Sequence, residues 1–297
     1  MTRTEPRIPT SLYALGALKR YLTKAGRLRR KVQEGDDPEA LHDLRVAVRR
    51  ARRVVQAFEA FIPPTVGHCE EALHGLFHTL GAVRDLDVAL EKWSALSGLA
   101  ADGVTDRLRA ERSVAKAELA TSLGCGSVLD ELRVAMSAET EEAVPLAAVP
   151  IEAAAPDLLE EVYQRAKRAE KRMGEDATPN EIHQLRRRVK RLRDELELLA
   201  PFYRPQGKQM ARELKRVQNL LGAYQDLIMV QGKLEVLVRE SGVEREASKR
   251  VLDGIGQECV ELRQKILAES SSIGAVPWSH LRRRMRADRR KLWKPVP

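Results

Sequence analysis

Residues 41–58 read LHDLRVAVRRARRVVQAF. Wound as a helix, at about 100° per residue, they place Leu44, Val48, Ala51, Val55 and Phe58 on one apolar face. His42, Arg45, Arg49, Arg52 and Arg53 then share an arc of about 100° on another side. Five arginines and a histidine are accompanied by a single acid, Asp43. A solvated helix face ordinarily mixes signs and gains from oppositely charged neighbours one turn apart. With so few partners inside the stretch, this charge is expected to point at something else.

The pattern returns 141 residues on, where residues 182–199 read IHQLRRRVKRLRDELELL. His183 stands where His42 does, and Leu185, Arg186, Val189, Lys190 and Arg193 match Leu44, Arg45, Val48, Arg49 and Arg52. The apolar face recurs as Leu185, Val189, Leu192, Leu196 and Leu199. Further out, Pro38 matches Pro179, Phe61 matches Phe202, and LGAVRDL from Leu80 matches LGAYQDL from Leu221. Upstream, Lys24, Arg27, Arg30 and Lys31 match Arg165, Arg168, Lys171 and Arg172. The chain is an internal duplication, and the basic rows are among the features both copies kept.

At 297 residues the chain is long enough for two cored halves. A repeat this long is no solenoid period. The net charge of +9 points to a polyanionic partner, whether nucleic acid, an anionic membrane or a phosphate polymer. Aromatics at 4% leave few rings on which bases could stack. Cys69, Cys125 and Cys259 have neither paired nor metal-ligand spacing, which fits a reducing interior. No signal peptide opens the chain and no run of 18 apolar residues occurs, so neither export nor a membrane span is expected.

Taken in order, the pattern predicts helices throughout and no strand. The first starts at Pro9-Thr10 and carries Leu12, Leu15, Leu18 or Leu22, Ala25 and Leu28 inward, with Lys24, Arg27 and Lys31 as an outer stripe. Asp37 caps the second, with Pro38 at its first position; Pro63-Pro64 ends it. A third runs from about Thr65 into the nineties, a fourth follows Thr105, and a short piece covers residues 127–136. Residues 138–155, rich in alanine and proline, read as a linker between a first half (1–137) and a second (156–297). There Thr178-Pro179-Asn180-Glu181 is a capping box, long helices follow over about 206–240 and 243–269, and a basic helix follows Pro277. Two four-helix units side by side account for this plan.

Each basic helix presents its row along about 15 Å, at about 1.5 Å per residue. Arginine forks grip phosphate oxygens in pairs, lysine adds a point charge, and histidine adds a donor that titrates near neutrality. The alternative is a solvated face paired to Asp85, Asp87 and Asp226. Glycines at matched helix-interior positions, Gly81 and Gly222, predict close backbone approach between helices, and Asp85 and Asp226 are placed to orient arginines. Glu39-x-x-His42 and Glu71-x-x-His74 have the spacing of di-iron carboxylate bundles. His42 leaves the apolar face, however, and the second copy keeps neither glutamate, so no metal or other cofactor is expected. No phosphate-binding glycine loop, nucleophile elbow or magnesium-binding acid cluster is present, so no catalytic residue is assigned.

The paired segments HDLRVAVRRAR and HQLRRRVKRLR, each followed by an LGxxxDL helix, resemble the CHAD family, the conserved histidine α-helical domain. That resemblance covers nearly the whole chain. It implies an all-α fold of two four-helix bundles related by a pseudo-twofold axis, with a basic groove or channel between them. It also implies binding of inorganic polyphosphate and association with cytoplasmic polyphosphate granules and their proteins. One wall would be His42, Arg45, Arg49, Arg52 and Arg53; the other His183, Arg186, Lys190 and Arg193, helped by Arg27, Lys31, Arg168 and Arg172. Asp194, standing where the first copy has Arg53, is expected to weaken the second wall. The CYTH triphosphatase domain often fused to this family is not found in the sequence. The alternatives are an enzyme acting on phosphate through His42 or His183, and a nucleic-acid-binding protein.

Overall fold

The computed structural model describes residues 8–97, 102–137, 148–202, 206–241, 245–270, 273 and 278–287. Among them every regular element is helical: α1 (Thr10–Glu34), α2 (Pro38–Ala57), α3 (Pro64–Gly67), α4 (Cys69–Ser97), α5 (Asp102–Ser122), α6 (Val128–Ser137), α7 (Ile151–Glu170), α8 (Pro179–Leu198), α9 (Gln206–Ser241), α10 (Arg245–Ser270) and α11 (Trp278–Ala287). Short 3-10 turns at Glu59–Phe61 and Ala200–Phe202 follow α2 and α8.

The two basic helices start as their sequences dictate. The Asp37 carboxylate accepts from the Glu39 amide (2.9 Å), with Pro38 filling a position whose N–H would have no helical partner. At α8 the Thr178 hydroxyl accepts from the Glu181 amide (3.3 Å), and the Glu181 carboxylate accepts from the Thr178 amide (2.7 Å). Both helices are 20 residues long. Leu44, Val48, Ala51, Val55 and Phe58 are buried, as are Leu185, Val189, Leu192, Leu196 and Leu199.

Three expectations change. Leu12 is exposed, since α1 turns Ala14, Ala17, Leu18 and Leu22 to the core instead. The third helix is divided at His68 into α3 and α4, with His68 in right-handed helical angles, so the join is a tight turn. Helix α7 begins at Ile151, inside the stretch read as a linker, and Ile151, Ala154, Ala155 and Leu159 are buried along one face. Alanines carry too little polarity contrast to make that face visible in sequence. Pro156 lies inside α7, in its second turn, and leaves the Glu152 carbonyl without its helical N–H donor. Residues 138–147, the rest of the expected linker, lie outside the described residues.

Helices pack in the same order in each half: α1 on α2, α2 on α4, α4 on α5; then α7 on α8, α8 on α9, α9 on α10. Contacts also cross between halves, α4 with α9 and α10, α5 with α9, α2 with α8 and α1 with α7. Instead of two separate cores, the buried apolar side chains of both halves form one continuous cluster. The start of the first helix is fastened to chain beyond residue 148. Thr10 donates its amide and hydroxyl to the Val149 carbonyl (2.8 and 2.6 Å), and the Tyr13 hydroxyl donates to the Leu198 carbonyl (2.5 Å). The Tyr13 ring also packs against Phe202, centroids 5.4 Å apart. Helix α11 seats Trp278 on Tyr163 of α7, with centroids 5.5 Å apart.

Candidate functional site

Helices α2 and α8 pack directly on each other, and their basic rows meet there. The Phe77 ring of α4 serves cations from both: Arg45 Cζ lies 4.5 Å from its centroid and Lys190 Nζ 5.9 Å. Burial, with Arg49, Arg186 and Arg45 around it, pushes the Lys190 ammonium down to about 6. Burial likewise lowers the guanidinium groups of Arg45, Arg49 and Arg53. Asp85 and Asp226 reach this cluster from α4 and α9. Burial raises both carboxyls, opposed for Asp85 first by Arg45 and for Asp226 first by Arg186. They act on the arginines through the field, since neither makes a hydrogen bond or ion pair among the described residues.

Several arginines do have partners, supplied by other elements rather than by the stretch itself. Arg49 Nη2 reaches Asp194 Oδ1 at 3.2 Å, with the two side chains only 12% and 3% exposed. Arg50 pairs with Glu197, which also takes Arg193 (2.8 Å). Arg52 Nε donates to Glu70 Oε1 (2.6 Å), Arg53 Nη1 to Gln56 Oε1 (2.5 Å) and Arg193 Nη1 to Gln218 Oε1 (3.0 Å). Asp194 therefore ties α8 to α2, where the repeat predicted only a weaker second wall. Of the alternative partners considered for the basic face, Asp87 is engaged elsewhere, by Arg112 Nε at 2.6 Å.

What remains is a set of buried donors without partners, beside one unused buried acceptor, Asp194 Oδ2. Arg45, Arg186 and Lys190 make no hydrogen bond or ion pair among the described residues. The Nε atoms of Arg45, Arg49 and Arg53 are buried without an acceptor; they repeat every four residues, so they recur along about 12 Å of α2. A buried donor without a partner costs about 1–3 kcal/mol, so the row favours an incoming anion. His42 and His183 head the two rows. Burial and then Arg84 lower the His42 imidazole, whereas His183 donates from Nδ1 to Gln225 Oε1 (2.7 Å).

The sequence places Phe77 on the inward face of the third helix rather than in the site, and gives Arg84 and Gln225 no role. Arg84 and Gln225 are matched positions in LGAVRDL and LGAYQDL, immediately before the two aspartates, and that register was the available signal. Gly81 lies against Arg45, where an added Cβ would stand 3.5 Å from Nε, and nothing lies within 4 Å of one at Gly222. The glycines thus do not bring helix backbones together; a Cβ at Gly81 would make only ordinary van der Waals contact with the Arg45 guanidinium.

The remaining site candidates lie elsewhere. Arg27 lines a groove of about 710 Å³ between α1 and α6, with Lys19, Arg30 and Arg133. Lys31 is exposed one turn further along α1. Arg168 and Arg172 line a cavity of about 440 Å³ between α7 and α8, with Arg165 and Arg188. The junction thus gathers the histidines and the α2 and α8 rows, while the α1 and α7 arginines occupy outer grooves. On α4, His74 and His78 bring their Nε2 atoms to 2.8 Å on an exposed face. No group of three or more His, Cys, Asp or Glu among the described residues is placed to hold a metal. No helix among them is long and apolar enough to cross a membrane.

A family model described as the CHAD domain matches residues 16–235. The crystal structure of the CHAD domain from the plant Ricinus communis superposes with a TM-score of 0.66 at 25% identity, covering 95% of this chain and 93% of that one. PptA from Streptomyces chartreusis superposes with a TM-score of 0.69 at 18% identity, over 89% of this chain and 99% of that one, a likeness of fold. No curated protein matches the chain in sequence. The family match takes in both basic helices and the aspartate-bearing helices α4 and α9 that meet them, and the chain belongs to the CHAD domain family.

Proposed function

We propose that the protein binds inorganic polyphosphate at the α2–α8 junction without altering it chemically. The carrying observation is the run of buried arginine Nε atoms that find no acceptor among the described residues, gathered with Arg186 and Lys190. Here α1, α2, α4 and α5 form one four-helix bundle and α7 to α10 a second, related by the duplication, with the junction as the basic groove between them. His42, Arg45, Arg49, Arg52 and Arg53 act from one side, and His183, Arg186, Lys190 and Arg193 from the other. Arg27, Lys31, Arg168 and Arg172 add charge from the outer grooves. The setting we assign is the cytoplasm, at polyphosphate granules and among their proteins.

A recessed row suits a thin, flexible polyanion better than a duplex, which is read by elements that project into its grooves. The few aromatic side chains disfavour stacking of single-stranded bases. The test is competition of long-chain polyphosphate against DNA, RNA and ATP at one fixed physiological salt concentration, with phosphate release followed in parallel. Preference for polyphosphate without release supports the proposal. Preference for nucleic acid, or phosphate release that disappears in His42→Gln or His183→Gln, overturns it.

A further inference from the structure

Helix α8 carries two basic faces. Arg186 and Lys190 look to the junction, while Glu181, Gln184 and Arg188 lie roughly 160° around the helix from them, at about 100° per residue. On that second face Arg188 meets Arg165 and Arg168 of α7 and Arg172 just beyond its end around the cavity of about 440 Å³, together with Asn180, Glu181, Gln184 and Ala169. Such a volume suits a small molecule rather than a polymer.

The acids near this cavity are accounted for. Glu161 pairs with Arg165. The Glu181 carboxylate accepts from the Thr178 amide and hydroxyl (2.7 and 2.9 Å), with Arg172 acting on it through the field. The side chains of Arg168, Arg172 and Arg188 make no hydrogen bond or ion pair among the described residues. Burial lowers the Arg188 guanidinium, and Arg165, Arg187, Arg191 and Arg168 lower it further, with Arg165 held by Glu161 and Arg191 by Glu195.

The first half provides an internal control. At the matched positions Arg165, Arg168 and Arg172 become Lys24, Arg27 and Lys31, Gln184 becomes Asp43 and Arg188 becomes Ala47. There Lys24 Nζ pairs with Asp43 Oδ2 at 3.0 Å. The first copy of the groove thus holds one internal ion pair, whereas the second has Gln184 in place of that acid and Arg188 in place of Ala47, and carries Glu161 and Glu181 where the first has Arg20 and Ala40.

We infer that the α7–α8 groove is a second anion site, separate from the junction, which takes a compact oligophosphate of about three phosphates. The triphosphate group is what the arginine forks recognise; it is offered equally by a free oligophosphate, a polyphosphate chain end or a nucleoside triphosphate. The inference does not depend on long-chain binding at the junction.

The test is calorimetric titration of the full chain with inorganic tripolyphosphate at fixed physiological salt, with long-chain polyphosphate titrated alongside. The variants are Arg168→Gln/Arg188→Gln, Gln184→Asp and Arg45→Gln/Arg186→Gln, each checked for helix content and melting temperature. Loss of two charge-assisted contacts should weaken tripolyphosphate binding about tenfold or more in the groove variant. Gln184→Asp, which restores the first half's acid with both arginines in place, should also weaken it. The junction variant should leave it within about threefold, a difference well under the 1.4 kcal/mol that separates decades of affinity. No binding by wild type, or equal loss in groove and junction variants, overturns the inference. ATP binding about tenfold tighter than tripolyphosphate overturns the oligophosphate assignment in favour of a nucleotide. Wild type that takes tripolyphosphate but ignores long chains supports the groove while removing the junction proposal.

Discussion

Lys190 is the residue through which pH should enter. Its ammonium is held down at about 6, against an ordinary value of 10.5, first by burial and then by Arg49, Arg186 and Arg45. Between those two values the unfolded chain carries a proton here that the folded chain lacks, so Lys190 works against folding increasingly as pH falls from 10.5 to 6 and by a constant amount below. A bound polyanion reverses the balance by favouring the charged form. Polyphosphate binding should therefore take up a proton near pH 7–8, with affinity falling as pH rises above 6 by up to about tenfold per unit. Calorimetry in buffers of differing ionisation enthalpy reads the proton directly, and Lys190→Met should abolish the uptake. An unchanged pH profile in that variant would remove Lys190 from the site. The sequence placed Lys190 in its row but gave no hint of its depressed acidity, because Phe77 and the α2 arginines that surround it come from elsewhere in the chain.

At the level of helices, starts and inward faces were legible because both are local. Asp37-Pro38 and Thr178-Pro179 set the first turns of α2 and α8, and apolar residues three and four apart chose the core. Pairing across helices was not legible, and Asp194 is the clearest instance. Removing its charge by Asp194→Asn should lower stability by about 1–3 kcal/mol, as buried Arg49 loses a charged partner. The same change should tighten polyphosphate binding, since the anion no longer competes with a carboxylate for Arg49; unchanged or weaker binding would mean that Arg49 never reaches the ligand. Thr178→Ala removes one arm of the α8 capping box and should cost about 1 kcal/mol in denaturant unfolding. It should affect affinity only modestly, because Thr178 lies outside both rows.

For the molecule as a whole, the continuous core predicts one cooperative unfolding transition despite the doubled sequence, with circular dichroism and tryptophan fluorescence tracing coincident curves. Two resolved transitions would show that the halves hold themselves together independently. The duplication was plain from the sequence, yet equivalent copies invite a picture of two cores, and side chains meeting across the middle leave no spacing to read. If several arginines and lysines meet phosphates, log K should fall linearly and steeply with log salt; a flat dependence would leave the basic rows without a role in binding. The fastening of α1 carries a consequence for synthesis on the ribosome. Tyr13 leaves the tunnel long before the Leu198 carbonyl and Phe202 ring that receive it. At about 5–20 residues per second, that interval is on the order of 10–40 s, during which Tyr13 has Phe58 of its own half but neither of its second-half partners. Whatever holds nascent chains apart in the cell has that long to keep this surface from another chain.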